Sequence, residues 1–198
     1  MKYIKTVYIL FIVLLLAKTG YAHLHIFIHT DIDIYYNATG IEKLHVQFHF
    51  DEIFSEDLMK NFDADKNKSF STKEIAEIKS KAFSNLKNYN YFIHIRAGGE
   101  KITIKDVSNF SARIDDGIVI YSFDVQKHIP VSRENTTIKI SPYDHSYYIA
   151  VYLNKQNIRF HNTDSFIHNY SVIEDKSQAY YYEQIYPETI VLQTRRKS

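Results

Sequence analysis

The sequence predicts an α+β fold: mostly antiparallel β-sheet, sandwich-like or open, with an EF-hand-like helix–loop–helix inserted at residues 51–86. Three observations lead there. Long stretches alternate apolar and polar residues, the period of a strand with one buried face. Turn signals rich in Gly, Asp and Asn separate those stretches. One internal segment switches to the period of a helix. Composition agrees, because 17 Tyr and 13 Phe with no Trp favour strands and a filled core. With only 5 Gly and 3 Pro, long flexible linkers are not expected.

The 198-residue chain opens on Lys2 and Lys5, an apolar run from Thr6 to Ala17, and small residues at Gly20 and Ala22. This is the pattern of a secretory signal peptide over 1–22, cleaved after Ala22. Lys18 ends the apolar run short of the ~20 residues a membrane span requires. Residues 23–198 are then expected to form a single periplasmic domain with no membrane span. Cys is absent, which excludes disulfides, zinc–thiolate sites and thiol catalysis. The net charge of +1 argues against nucleic acid as a partner.

After the predicted cut, Leu24, Ile26, Ile28, Ile32 and Ile34 alternate with His25, Phe27, His29, Asp31 and Asp33. The turn Asn37-Ala38-Thr39-Gly40 follows, then Leu44, Val46, Phe48 and Phe50 alternate with His45, Gln47, His49 and Asp51. The two runs should pair antiparallel, with His29 opposite His49, Asp31 opposite Gln47 and Asp33 opposite His45. A one-residue slip would set histidines against isoleucines. Residues 51–86 carry Phe54, Leu58 and Phe62, then Ile75, Ile78, Ala82 and Leu86, at helical spacing. Strands are next expected at Tyr91–Arg96 and Lys101–Lys105 around Gly98-Gly99, and at Asn109–Ile114 and Ile118–Val125 around Asp116-Gly117. Further strands are expected at Thr136–Ile140, Tyr147–Leu153, Phe166–Ile173 and Thr189–Gln193.

Between the two predicted helices lies DADKNKSFSTKE, a twelve-residue loop with oxygen-bearing residues at calcium-ligand spacing. The candidate Ca²⁺ ligands are Asp63, Asp65, Asn67, Ser69 through its carbonyl, Ser71 and Glu74. Lys68 stands where glycine is expected, at a position that needs a left-handed backbone.

Ten histidines are many for this length. After cleavage, His23-Leu24-His25 would place His25 third behind a free amine, a nitrogen set suited to Cu(II) or Ni(II). The polar strand face adds His29, His45 and His49, with Asp31 and Asp33 beside them. Imidazoles with a carboxylate suit Ni, Co, Zn or Cu. The remaining histidines are isolated and receive no role, His145 excepted.

HLHIFIHTDIDI, FHFDEIFS, DADKNKSFSTKE, YNYFIHI and SPYDHSYYIAVYL stand in an order that resembles a bacterial domain-of-unknown-function family, described as the periplasmic component of an uncharacterised ABC-type transport system. The resemblance runs from His23 to about Leu153. It implies a role in transition-metal traffic beside nickel/cobalt-type membrane permeases. Carried over by position, His23, His25, Asp51, Glu52, Tyr143 and Asp144 fall on family motifs, the last four with no role attached. Leu24 replaces the usual Pro, Phe48 stands where Trp is common, and Lys68 replaces Gly.

Two functions follow as expectations. The first is a periplasmic accessory protein of a transition-metal transport system, partnered by a membrane permease. The second is a calcium-braced structural or interaction domain. No nucleophile–base constellation or phosphate loop points to an enzyme.

Overall fold

The computed structural model describes residues 26–198, so the predicted signal peptide, His23 and His25 lie outside the described residues. The described chain is α+β, dominated by antiparallel pairing. Ten strands form two five-stranded sheets that share one apolar core.

The first hairpin joins β1 (Ile26–Asn37) to β2 (Gly40–Phe50). Its register sets His29 opposite His49, Asp31 opposite Gln47 and Asp33 opposite His45, as the alternation required. Ile28, Ile32, Ile34, Leu44, Val46 and Phe48 are essentially inaccessible, which makes any other register costly. Gly40 is irreplaceable at the turn: its φ is +157°, and a Cβ there would lie 2.1 Å from the Ile129 carbonyl oxygen.

Helix α1 (Glu52–Phe62) and helix α2 (Thr72–Lys81) follow. Asp51 caps α1 by accepting from the Phe54 N–H. Ser71 and Glu74 form a capping box at α2. The helical spacing seen in the sequence extends to Leu86, yet α2 stops at Lys81. A 3₁₀ segment (Phe83–Phe92) replaces it. Ser84 and Asn85 bond back to the Ser80 and Lys81 carbonyls, and such local bonds compete with α-helix. Phe83 then stacks on Phe110 and meets Tyr121 and Phe123, tying the insert to the core.

The strand expected from Tyr91 begins later, as β3 (Ile93–Ala97), because Asn90 and Tyr91 hold left-handed backbone. Strand β4 (Glu100–Ile102) ends early, since Ile104 N–H donates to the Asn90 side chain rather than to the ladder. Then come β5 (Ser108–Asp115), β6 (Ile118–Pro130), β7 (Thr136–Pro142), β8 (Ile149–His161), β9 (Phe166–Glu174) and β10 (Glu188–Arg196). Sheet A runs β5-β6-β2-β1-β8 and sheet B runs β4-β3-β7-β10-β9. One pairing breaks the antiparallel pattern: β8 lies parallel to β1. Strand β8 is also about twice as long as the sequence suggests. Its second half, Asn154 to His161, is too polar to show alternation.

Inward residues of both sheets fill the core, and Tyr36 of β1 reaches across to pack on Phe166 and donate to Thr194 Oγ1. No helix of the described residues is long and apolar enough to cross a membrane.

Candidate functional site

The outer face of sheet A carries the polar half of the alternation. Three carboxylates on it are nearly buried: Asp31, Asp33 and Asp124. Each receives a histidine. His49 Nε2 donates to Asp31 Oδ2 at 3.1 Å, His161 Nε2 to Asp33 Oδ1 at 2.7 Å, and His45 Nδ1 to Asp124 Oδ1 at 2.7 Å. Asn157 also donates to Asp31. Lys43 and Asn109 donate to Asp124. Burial alone would raise both carboxyls, but these donors outweigh it and hold Asp31 and Asp124 below the usual carboxylate range.

The predicted strand-face histidines are therefore on one face but not in one cluster. His45 is committed to Asp124 and His49 to Asp31, while His29 stacks on Tyr152. His29 and His49 remain direct cross-strand neighbours. They border an open groove of about 590 Å³, whose wall also includes Phe27, Asp51, Glu52 and Ile53. Asp51 is occupied structurally, accepting from Phe27 N–H at 2.8 Å and from Phe54 N–H at 2.8 Å. It thereby pins the edge of β1 to the start of α1. Glu52, in the first turn of α1, is exposed.

The acidic loop is the second candidate. Ligand oxygens of Asp63, Asp65 and Glu74 lie within 4.8 Å of one another, the one such acidic or histidine group of three among the described residues. Lys68 adopts the left-handed backbone, at φ 61°. The carboxylates are presently satisfied by the loop itself. Asp63 accepts from Asn67 and Lys68 N–H, and Asp65 from Asn67. Ser69 N–H donates to Asn67 Oδ1. Glu74 accepts from Ser71 N–H and Oγ and from Ala64 N–H, and these bonds hold its carboxyl below the usual range. Ser71 and Glu74 thus serve first as a helix cap.

The last two motif positions belong to a different part of the molecule. Asp144 is buried and accepts from Ser146 N–H, Ser146 Oγ, Tyr148 N–H and Ile149 N–H, which shapes the turn into β8. Tyr143 stacks on His94 with ring centres 3.9 Å apart.

With this geometry in hand, comparison with known proteins gives one family. The family described as "Protein of unknown function (DUF1007)" matches residues 8–186. The chain belongs to that family. A relative of the DUF1007 chain is the "Uncharacterized 15.5 kDa protein in trpE 3'region" of Spirochaeta aurantia. The two are 28% identical over 131 residues, which covers 66% of this chain and 93% of the relative.

Two histidine–carboxylate partners on this face, Asp124 and His161, carry no pairing signal in the sequence, because they come from strands distant along the chain. His94, on sheet B, sits alone in its segment. Only the polar position of Asp124 within the Ile118–Val125 alternation hinted at its face.

Proposed function

We propose that this DUF1007 chain is exported to the periplasm and binds a transition-metal ion, Ni, Co, Zn or Cu, as an accessory of a membrane permease. The observation that carries this reading is the pair His29 and His49, opposed across β1 and β2 beside the open groove, with Asp31 behind His49. A carboxylate on one imidazole nitrogen orients the ring and raises the basicity of the other, an arrangement common behind metal-ligating histidines. Its donors hold the Asp31 carboxyl below the usual carboxylate range, so it can play that part. In this reading His25 and His23, a few residues ahead of His29 in sequence, complete the ligand set.

Native mass spectrometry of protein exported through its own signal peptide tests the proposal. The expected mass begins at His23 and carries one metal ion, lost in His49→Ala and in His25→Ala. Asp31→Asn should weaken binding about tenfold or more. A clean apo mass after incubation with each of the four metals would overturn it.

A second reading rests on the acidic loop. The gathered oxygens of Asp63, Asp65 and Glu74 and the left-handed Lys68 favour a Ca²⁺ site that braces α1 against α2. In that case Ca²⁺ raises the melting temperature of the protein, and Asp63→Ala with Glu74→Ala abolishes the rise. A melting temperature indifferent to Ca²⁺ in the native protein removes this reading.

A further inference from the structure

The outer face of sheet B is built differently. Segment Asp175–Pro187 crosses it, and a 3₁₀ turn (Lys176–Gln178) rests on β7. Beneath it lies a polar network. Gln178 Nε2 donates to Ser141 Oγ and Asp175 Oδ2, Ser141 bonds Thr189, and Lys139 Nζ donates to Asp175 Oδ2. Ser141, Thr189, Gln178 and Asp175 are all buried. At its edge the strap leaves a cavity of about 170 Å³, bordered by His94, Arg96, Lys101, Tyr143, His145 and Gln178 among others.

His94 is the exception in this network. It is only 5% exposed. Its Nε2 lies 3.1 Å from the Tyr143 carbonyl oxygen, which accepts only from an N–H. The proton is therefore on Nε2, and Nδ1 carries a lone pair. That Nδ1 is buried without a partner. Burial, reinforced by His145 and Lys101, lowers the His94 pKa to about 4, so the ring is a neutral acceptor near pH 7. A buried acceptor left unmade is costly, and it calls for a donor.

The cavity walls set the charge of that donor. Arg96 bonds only the Gly99 carbonyl, at 3.5 Å, and neither it nor Lys101 has a carboxylate partner among the described residues. A metal cation would meet two positive groups, and the nearby carboxylate of Asp144 is already engaged by four donors. An anion meets the reverse. A second cleft of about 540 Å³ shares Arg96 and Ser177 with the first, which leaves room for a longer ligand to continue past the guanidinium.

We propose that the cavity over β3 binds a small carboxylate that also bears a hydroxyl group. The carboxylate faces Arg96 and Lys101, and the hydroxyl donates to His94 Nδ1 while the Tyr143 ring backs the imidazole. Either a free hydroxy acid or the hydroxylated end of a larger organic acid supplies this chemistry. The larger acid reaches into the second cleft.

Nitrogen-detected NMR of the mature chain tests this, with glycolate, acetate and citrate as probes at millimolar concentration. Glycolate should shift the His94 Nδ1 resonance and bind about tenfold more tightly than acetate, which lacks the hydroxyl. Tighter binding of citrate than of glycolate, weakened by Thr137→Val in the second cleft, assigns the larger acid. Equal or weaker binding of citrate assigns the free hydroxy acid. Lys101→Ala, at an exposed rim position that leaves the fold intact, should weaken glycolate about tenfold. The proposal is overturned if acetate matches glycolate, if no probe moves His94, or if Zn²⁺ shifts His94 and Lys101→Ala does not weaken glycolate.

Discussion

The outer faces of the two sheets solve one problem in opposite ways. Each sheet turns a row of polar side chains away from the core. On sheet A the row stays open, and each buried carboxylate takes its own histidine: Asp31 with His49, Asp33 with His161, Asp124 with His45. On sheet B the strap covers part of the row and links Lys139, Ser141, Gln178 and Thr189 into one network around Asp175. The open face keeps its imidazoles partly exposed, and His29 and His49 border the groove. The covered face takes His94 out of water and leaves it neutral to about pH 4. The same residue type therefore becomes a solvent-facing partner of a carboxylate on one side and a buried acceptor on the other, according to what lies above it.

The contrast between the two faces is largest at His94. An unfolded histidine takes up a proton near pH 6.5, whereas folded His94 waits until about pH 4. The unfolded state therefore binds more protons in that window, and stability falls as pH drops from 6.5 towards 4. The contribution is about 3 kcal/mol over the whole interval. Urea denaturation across this range should show a shallower slope in His94→Gln. His145 and His168 are lowered in the same sense by burial, so the variant keeps part of the slope. An unchanged slope would mean that the strap does not exclude water from the ring.

The next largest effect is expected at Asp175, the hub of the covered network. Burial would raise its carboxyl, but Lys139, Ser177 and Gln178 pull it far below the usual range. Asp175→Ala strands those donors and should cost about 2 kcal/mol in urea denaturation. On the open face, Asp124→Ala should cost about 1 kcal/mol, because Lys43 and His45 can turn to water instead. Equal losses at the two sites would erase the distinction between an open and a roofed face. The acid limb offers a second check. Asp31, Asp124 and Asp175 all have lowered pKa values, so their stabilisation is complete above about pH 4 and is lost below it. The smallest effect is expected at Lys68→Gly. This substitution relieves a left-handed backbone in the acidic loop and should stabilise by at most ~1 kcal/mol, measured by thermal melting.

How legible these features were in the sequence depended on distance along the chain. The β1–β2 register was readable because two alternating runs flank a four-residue turn and only one parity buries both apolar faces. Helices α1 and α2 were readable from the spacing of their apolar residues, though not the stop of α2 at Lys81. The parallel partner β8 was not, because its polar half shows no period and its place is decided by sheet A as a whole. The sequence also put His29, His45 and His49 on one face, correctly, but could not show that Asp124 and Asp31 would claim two of them separately. His94 gave no signal, since its character comes from a strap more than eighty residues further on.

The parallel pairing of β1 with β8 has a consequence for how the molecule is made. Ile26 is registered against Ile149 and Tyr35 against His161, so the first described strand lies inside sheet A and one of its two neighbours comes late in the chain. During synthesis, β1 and β2 can zip as a hairpin at once. The far edge of β1 must wait, with unpaired N–H and C=O groups exposed, until β8 has emerged. Such non-local closure is intrinsically slow and exposes a sticky edge meanwhile. The stacking of Phe27 and His29 on Tyr152 is thus among the last contacts to form, and a helper that shields the waiting strand edge would raise the yield of folded protein more than one that assists the helical insert.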